Sequence, residues 1–154
     1  MPRIFQALAL GLVGLFLSQP AFAETLKVAE HSEFGRYLTD DSGMALYLFE
    51  EDRRGGDRGR AVESDCVSDD CLSRWPTLGG SKTPEAGEGV DAGLIGSFTR
   101  PDGKVQATYN GWPLYYFAED FVSGDVNGHD FEEFGGEWYL VTPDGGALGE
   151  PDEH

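Results

Sequence analysis

Leu46-Tyr47-Leu48-Phe49-Glu50-Glu51-Asp52 recurs without a gap as Leu114-Tyr115-Tyr116-Phe117-Ala118-Glu119-Asp120, with five of seven residues identical. No other feature constrains the fold as strongly, because two copies of one local structure can bury their apolar faces on each other. Each copy follows a turn-forming stretch that ends in glycine, Gly43 or Gly103, and each precedes a tryptophan, Trp75 or Trp138. The offset is 60 residues at the glycines and 68 at the motif. The second copy therefore carries eight extra residues, assigned to the neighbourhood of Tyr109-Asn110-Gly111-Trp112.

The motif reads as a strand. Residues two apart in a strand share a face, which puts Tyr47 with Phe49 on one side and Leu46 with Leu48 on the other. Tyr115 with Phe117, and Leu114 with Tyr116, repeat the pattern. Both faces are apolar, as in a buried strand, and Asp52 and Asp120 fall just past the strand ends, where a carboxylate accepts backbone N–H groups in a turn.

No segment after residue 23 keeps apolar residues at helical spacing for three turns. Short Val-, Ile-, Tyr-, Phe- and Leu-rich runs bounded by Gly, Asp and Pro predict strands at Leu26–Glu30, Gly35–Thr39, Met44–Glu50, Leu94–Thr99, Lys104–Tyr109, Pro113–Ala118 and Glu137–Val141. The turns Asp40-Asp41-Ser42-Gly43 and Pro101-Asp102-Gly103 suit hairpins. One short helix is expected from Asp70 to Arg74, capped by an aspartate and ended by Pro76. The fold class is all-β: a small meander or sandwich of about seven strands, built from two related hairpin repeats at about 35–78 and 94–145 within a single domain spanning 24–148. Residues 79–93 are expected to form an exposed loop, and 149–154 an acidic tail that frays.

Arg3, the apolar run Ala7–Leu17, Pro20 and Ala21-Phe22-Ala23 have the pattern of a secretory signal cleaved before Glu24. Eleven apolar residues are too few to cross a bilayer. Against 11 Lys and Arg stand 28 Asp and Glu, a net charge of −17 that becomes −18 once residues 1–23 are removed. Nucleic acid is thereby excluded as a partner, and the 19 aromatics argue against disorder. The expected location is the periplasm or outside the cell. Cys66 and Cys71, with four residues between them, read in that oxidising space as a local disulfide. A redox-active pair is the alternative, which Asp65, Asp69 and Asp70 disfavour by opposing a thiolate. His31, His129 and His154 are too scattered for a zinc site with the cysteines.

The chain resembles the bacterial secreted-repeat family, predicted lipoproteins that carry a Tyr-x-aromatic-x-x-Asp motif. The resemblance rests on the two motif copies, on Gly35-Arg36-Tyr37-Leu38-Thr39-Asp40 with Gly43-Met44, and on the cysteine loop running into Trp75-Pro76. It continues through Thr108-Tyr109-Asn110-Gly111-Trp112-Pro113, Gly124-Asp125-Val126-Asn127-Gly128 and Trp138-Tyr139-Leu140-Val141-Thr142-Pro143-Asp144-Gly145. It implies a secreted or cell-envelope protein in which Tyr47, Phe49, Asp52, Tyr115, Phe117, Asp120, Trp75, Trp112 and Trp138 are the family residues. It carries no established activity. Two departures stand out: no lipobox cysteine follows the signal, and the cysteine loop is one residue longer than the family pattern.

Three candidate sites compete with purely structural readings. Asp52 and Asp120 form a paired-carboxylate site if the repeats bring them together. Asp125, Asn127 and Asp130, with Glu132 and Glu133, gather hard oxygen donors of the kind calcium takes, although the glycine spacing is not that of an EF-hand. Arg53, Arg54, Arg58 and Arg60 crowd into eight residues and suit an anionic partner, or else the protein's own acidic surface. The tryptophans and tyrosines either line a ligand cleft or fill the core. No Gly-x-Ser-x-Gly elbow, P-loop or dinucleotide fingerprint is present. The expectation is a non-enzymatic accessory or binding protein with no cofactor and an unknown partner. Its alternatives are a calcium-binding protein, and a redox or hydrolytic enzyme using Cys66 and Cys71 or Asp52 and Asp120.

Overall fold

The computed structural model describes residues 24–56 and 59–149. The signal-like segment 1–23, Arg58, and residues 150–154 of the acidic tail, His154 among them, lie outside the described residues. Among the described residues, nine strands and one α-helix follow in the order β1 (Thr25–His31), β2 (Gly35–Thr39), β3 (Tyr47–Phe49), α1 (Asp69–Arg74), β4 (Glu85–Ala86), β5 (Ile95–Thr99), β6 (Val105–Tyr109), β7 (Trp112–Pro113), β8 (Phe131–Glu133) and β9 (Gly136–Leu140). They make three sheets of three, ordered β2-β1-β4, β3-β9-β8 and β5-β6-β7. All pairs are antiparallel except β1 with β4.

The duplicated turns have one geometry. Gly43 N–H donates to Asp40 O and Gly103 N–H to Arg100 O, while Asp40 and Arg100 close the loops by donating to Met44 O and Lys104 O. Gly43 (φ 85°) and Gly103 (φ 82°) both occupy the left-handed region, where a Cβ is disfavoured. Asn110 (φ 50°) and Gly111 (φ 80°) form a two-residue turn of type I′ sign between β6 and β7.

Several boundaries differ from expectation. The run 113–118 is a ladder only at Trp112–Pro113. Beyond it the backbone bonds are shared among partners: Tyr115 pairs with Tyr47, Tyr116 N–H donates to Pro76 O, and Ala118 N–H to Arg74 O. The run 44–50 shortens to β3 for the same reason, with Leu46 bonded to Leu38 and Val141. Residues 79–93 are not one open loop, since Glu85–Ala86 adds a strand to β1. Strand β8 was not foreseen; its Phe-Glu-Glu sequence shows too short an alternation. Helix α1 is capped by Ser68, whose hydroxyl accepts from Cys71 N–H, rather than by an aspartate.

Two apolar cores lie on the two faces of the motif strands. Tyr47, Phe49, Tyr115, Phe117, Trp75 and Trp138 belong to one. Leu46, Leu48 and Leu114 belong to the other, with Tyr116 and Trp112 packed at its margin. The strand alternation thus sorts the motif into two layers.

Candidate functional site

The spacing of Tyr-x-Phe-x-x-Asp has a direct structural cause. Phe49 to Asp52 is a tight turn in which Asp52 N–H donates to Phe49 O at 3.1 Å, and Asp120 N–H donates to Phe117 O at the same distance. The two tyrosines pair across the molecule, each backbone N–H donating to the other's carbonyl at 2.9 and 3.0 Å. Their hydroxyls then cross over. Tyr47 donates to Asp120 Oδ2 at 2.6 Å, and Tyr115 to Asp52 Oδ2 at 2.7 Å. The second carboxylate oxygens accept from backbone, Asp120 Oδ1 from Asn127 N–H and Asp52 Oδ1 from Asp65 N–H.

The rings interleave in the same way. Trp75 and Trp138 stack at 3.9 Å and 4°, with Phe49 against Trp138 at 4.2 Å and Phe117 against Trp75 at 4.4 Å. Tyr47 sits edge-on to Trp75 and Tyr115 edge-on to Trp138. The stack alternates between repeats, Phe49–Trp138–Trp75–Phe117, so each repeat completes the other's core. Trp75 and Trp138 are fully buried, whereas Trp112 is only half-buried.

The two halves differ around the carboxylates. Tyr115 Oη also shares a hydrogen bond with Ser64 Oγ at 2.7 Å. Ser64 Oγ accepts from buried Arg100, whose remaining bonds go to Gln106 Oε1 and Cys66 O. Those three partners are uncharged, and the Arg100 Nε is buried with no partner among the described residues. Burial pushes the Asp52 carboxyl up to about 7, opposed by the bonds from Tyr115 and Asp65 N–H and by the Arg100 charge. Burial also raises Asp120, opposed by Tyr47 and Asn127. Asp52 and Asp120 therefore sit in separate hydrogen-bond networks.

A cleft of about 600 Å³ opens between the 53–63 loop and the face of β5 and β6. The loop is closed at its base by Arg53 paired with Glu63. It is anchored by Gly55 N–H to Gly111 O, and by Arg54, which donates to Asn110 O at 2.6 Å and Asn110 Oδ1 at 2.9 Å. Gly96 and Thr108 are register partners and share this face. Thr108 is 4% exposed, and the buried side-chain atom left without a partner among the described residues is Arg100 Nε rather than the Thr108 hydroxyl. A Cβ on Gly96 would stand 2.9 Å from that oxygen, so the glycine keeps the hydroxyl uncovered. Phe98 and Arg60 complete the walls, and no acid lines the cleft among the described residues.

The family model of a secreted repeat of unknown function matches residues 31–78 and 96–142. The chain belongs to this secreted-repeat family. Its two matched stretches are the two partners of the Tyr–Asp exchange and of the ring stack. No curated protein and no solved structure matches the chain. The secreted-repeat assignment accords with a described structure in which no helix is long and apolar enough to cross a membrane.

Elsewhere in this secreted-repeat protein, the calcium candidates serve as turn residues. Asp125 Oδ2 accepts from Phe121 and Val122 N–H, and the Asn127 side chain donates to Glu119 O. Among the described residues, three acids close enough to share an ion are Glu24, Asp40 and Asp41. Cys66 and Cys71 are bonded and buried. Of the arginine group, Arg53 pairs with an acid, Glu63, whereas no described carboxylate pairs with Arg54 or Arg60. Sequence reasoning missed Ser64, Arg100, Gln106 and Thr108. Arg100 directly follows β5, yet it is 4% exposed and bonded to Ser64, Gln106 and Cys66.

Proposed function

We propose that this protein is a binding module that works in the periplasm or outside the cell, performs no covalent chemistry, and takes its ligand in the cleft between the 53–63 loop and β5–β6. One observation carries the reading. The motif tyrosines and aspartates spend their polar atoms on each other inside the core, whereas the cleft presents the Thr108 hydroxyl and the Arg54 and Arg60 guanidinium groups, none with a carboxylate partner among the described residues. Small-molecule sites have this form, with a few placed polar groups in a concave wall of roughly 300–1,000 Å³. The signal-like first 23 residues, the buried disulfide and the secreted family support the location.

Titration of the ¹⁵N-labelled protein with a panel of envelope and extracellular small molecules tests it. Shifts confined to Gly96, Thr108 and Gly111 amides, with every ligand recovered intact, are expected. Shifts clustered elsewhere, or conversion of any ligand, overturn the reading.

A further inference from the structure

We propose that the free edge of β5 is the seam of a symmetric dimer, at which Ile95–Thr99 pairs antiparallel with the same strand of a second copy of this chain. The backbone directions come first. At the two ends of β5, Asn110 N–H donates to Leu94 O and Arg100 N–H to Lys104 O, so the even-numbered residues turn their main-chain groups toward β6. Alternation turns those of Ile95, Ser97 and Thr99 outward. Ile95 N–H returns to Ala92 O. The Ile95 carbonyl, and both main-chain groups of Ser97 and Thr99, have no backbone partner among the described residues.

Composition sets this edge apart. An open strand edge invites pairing, and proteins blunt such edges with charge or proline. Among the described residues the other terminal strands are protected: β8 carries Glu132 and Glu133, β4 carries Glu85, β7 ends on Pro113, and β2 and β3 are bridged by Ala45 and Tyr115. Residues 92–99 carry no charge, in a chain of 28 acids and 11 bases. Two copies of so acidic a chain repel over most of their surface, and along this strand they meet without opposing like charges.

Register selects a second copy over an unrelated strand. With Ser97 opposite its own counterpart on a twofold axis, each Ser97 N–H meets the other copy's Ser97 carbonyl, and each Thr99 N–H meets the other copy's Ile95 carbonyl. Every outward N–H that one copy leaves free then has an acceptor on the other. The same register sets Gly96 opposite Phe98 and Ile95 opposite Thr99. The half-buried Phe98 ring gains a bare glycine backbone to lie on, and two β-branched side chains meet on the other face. A seam of one five-residue strand from each copy is at the low end of interface sizes, so the dimer is weak and reversible.

Sedimentation equilibrium of the purified protein, from micromolar to millimolar concentration, tests the seam. It should show a monomer–dimer equilibrium that strengthens as salt rises, because screening relieves the repulsion between two acidic copies. Amide spectra over the same range should move Ser97 and Thr99 first. Ser97→Lys, at an exposed position whose N–H has no bond to lose, sets two like charges opposite each other and should weaken association by about tenfold or more at unchanged melting temperature. Ser97→Asp should do the same, and an equimolar mixture of the two variants should recover the dimer, since opposite charges then face each other. A chain that stays monomeric at millimolar concentration in high salt overturns the proposal. So does a dimer indifferent to Ser97→Lys, a mixture that associates no better than either variant alone, or Ser97 and Thr99 amides that respond only to an added peptide of another sequence.

Discussion

Tyr47 of the first repeat donates to the Asp120 carboxylate of the second across 73 residues, and Tyr115 returns the same bond to Asp52. The motif that looks local is therefore an exchange between copies. Tyr47 has its own Asp52 five residues ahead, but β3 ends at Phe49 and the chain turns there, with Asp52 N–H donating to Phe49 O, so that Asp52 is fixed at the strand end. The aspartate within reach belongs to the other repeat.

Tyr47→Phe should cost about 2 kcal/mol, because it leaves a buried carboxylate short of a donor and removes the acceptor of Gly128 N–H. Tyr115→Phe should cost a similar amount, since Ser64 also loses one of its partners. The double variant should approach the sum, because the hydroxyls serve separate networks. Denaturant unfolding measures all three; single losses below about 0.5 kcal/mol would show that the exchange adds little.

Stability should fall as pH rises through neutrality. The Asp52 carboxyl has an ordinary value of 3.8 and stands at about 7 in the fold, so between those values the folded state binds the extra proton. That contribution is complete below pH 3.8 and lost as pH rises through 7. Each unit is worth about 1.4 kcal/mol, giving a loss of about 4 kcal/mol between pH 4 and pH 8. Asp120 is raised as well and acts with the same sign. Asp52→Asn should flatten the curve, and a wild-type curve that rises from pH 5 to pH 8 would contradict the assignment.

The disulfide should resist reductant until the protein unfolds, because Cys66 and Cys71 are 0% and 2% exposed. Replacing both by serine should lower stability by about 2 kcal/mol, as expected for so short a loop. Thiol titration in native buffer with dithiothreitol checks the first statement. Rapid reduction of folded protein would instead favour the redox alternative.

Gly128→Ala should destabilise by about 1–3 kcal/mol through overpacking. A Cβ there would lie 2.9 Å from a Trp75 ring carbon and 3.0 Å from Phe117, rings held in the central stack. Gly103→Ala tests a different cost, since nothing lies near its Cβ and only the left-handed backbone opposes it. Thermal melts should separate the two, with loss of near-ultraviolet circular dichroism confined to Gly128→Ala.

Much of the fold is legible because it is local. The alternation of Leu46, Tyr47, Leu48 and Phe49 places one pair in each core, and the Asp-Gly turns close the hairpins where the glycines stand. The cysteine loop, with six residues from Cys66 to Cys71, leaves little choice of partner. The candidate site was far less legible. Thr108 and Gln106 alternate with apolar neighbours in β6, the pattern of a solvent face, and nothing nearby in sequence indicates that Gln106 is buried against Arg100 or that Thr108 lines a cleft.

The sequence by itself determined that there are two copies of one strand-and-turn unit, which faces each motif strand buries, and which cysteines can meet, because each follows from backbone periodicity and short-range geometry. Tertiary structure alone decided which aspartate holds which tyrosine, how four rings alternate in one stack, and how Asn110 comes to hold Arg54 beside a cleft. Those outcomes depend on contacts between segments tens of residues apart, where the packing of one repeat against the other sets which groups are close enough to bond.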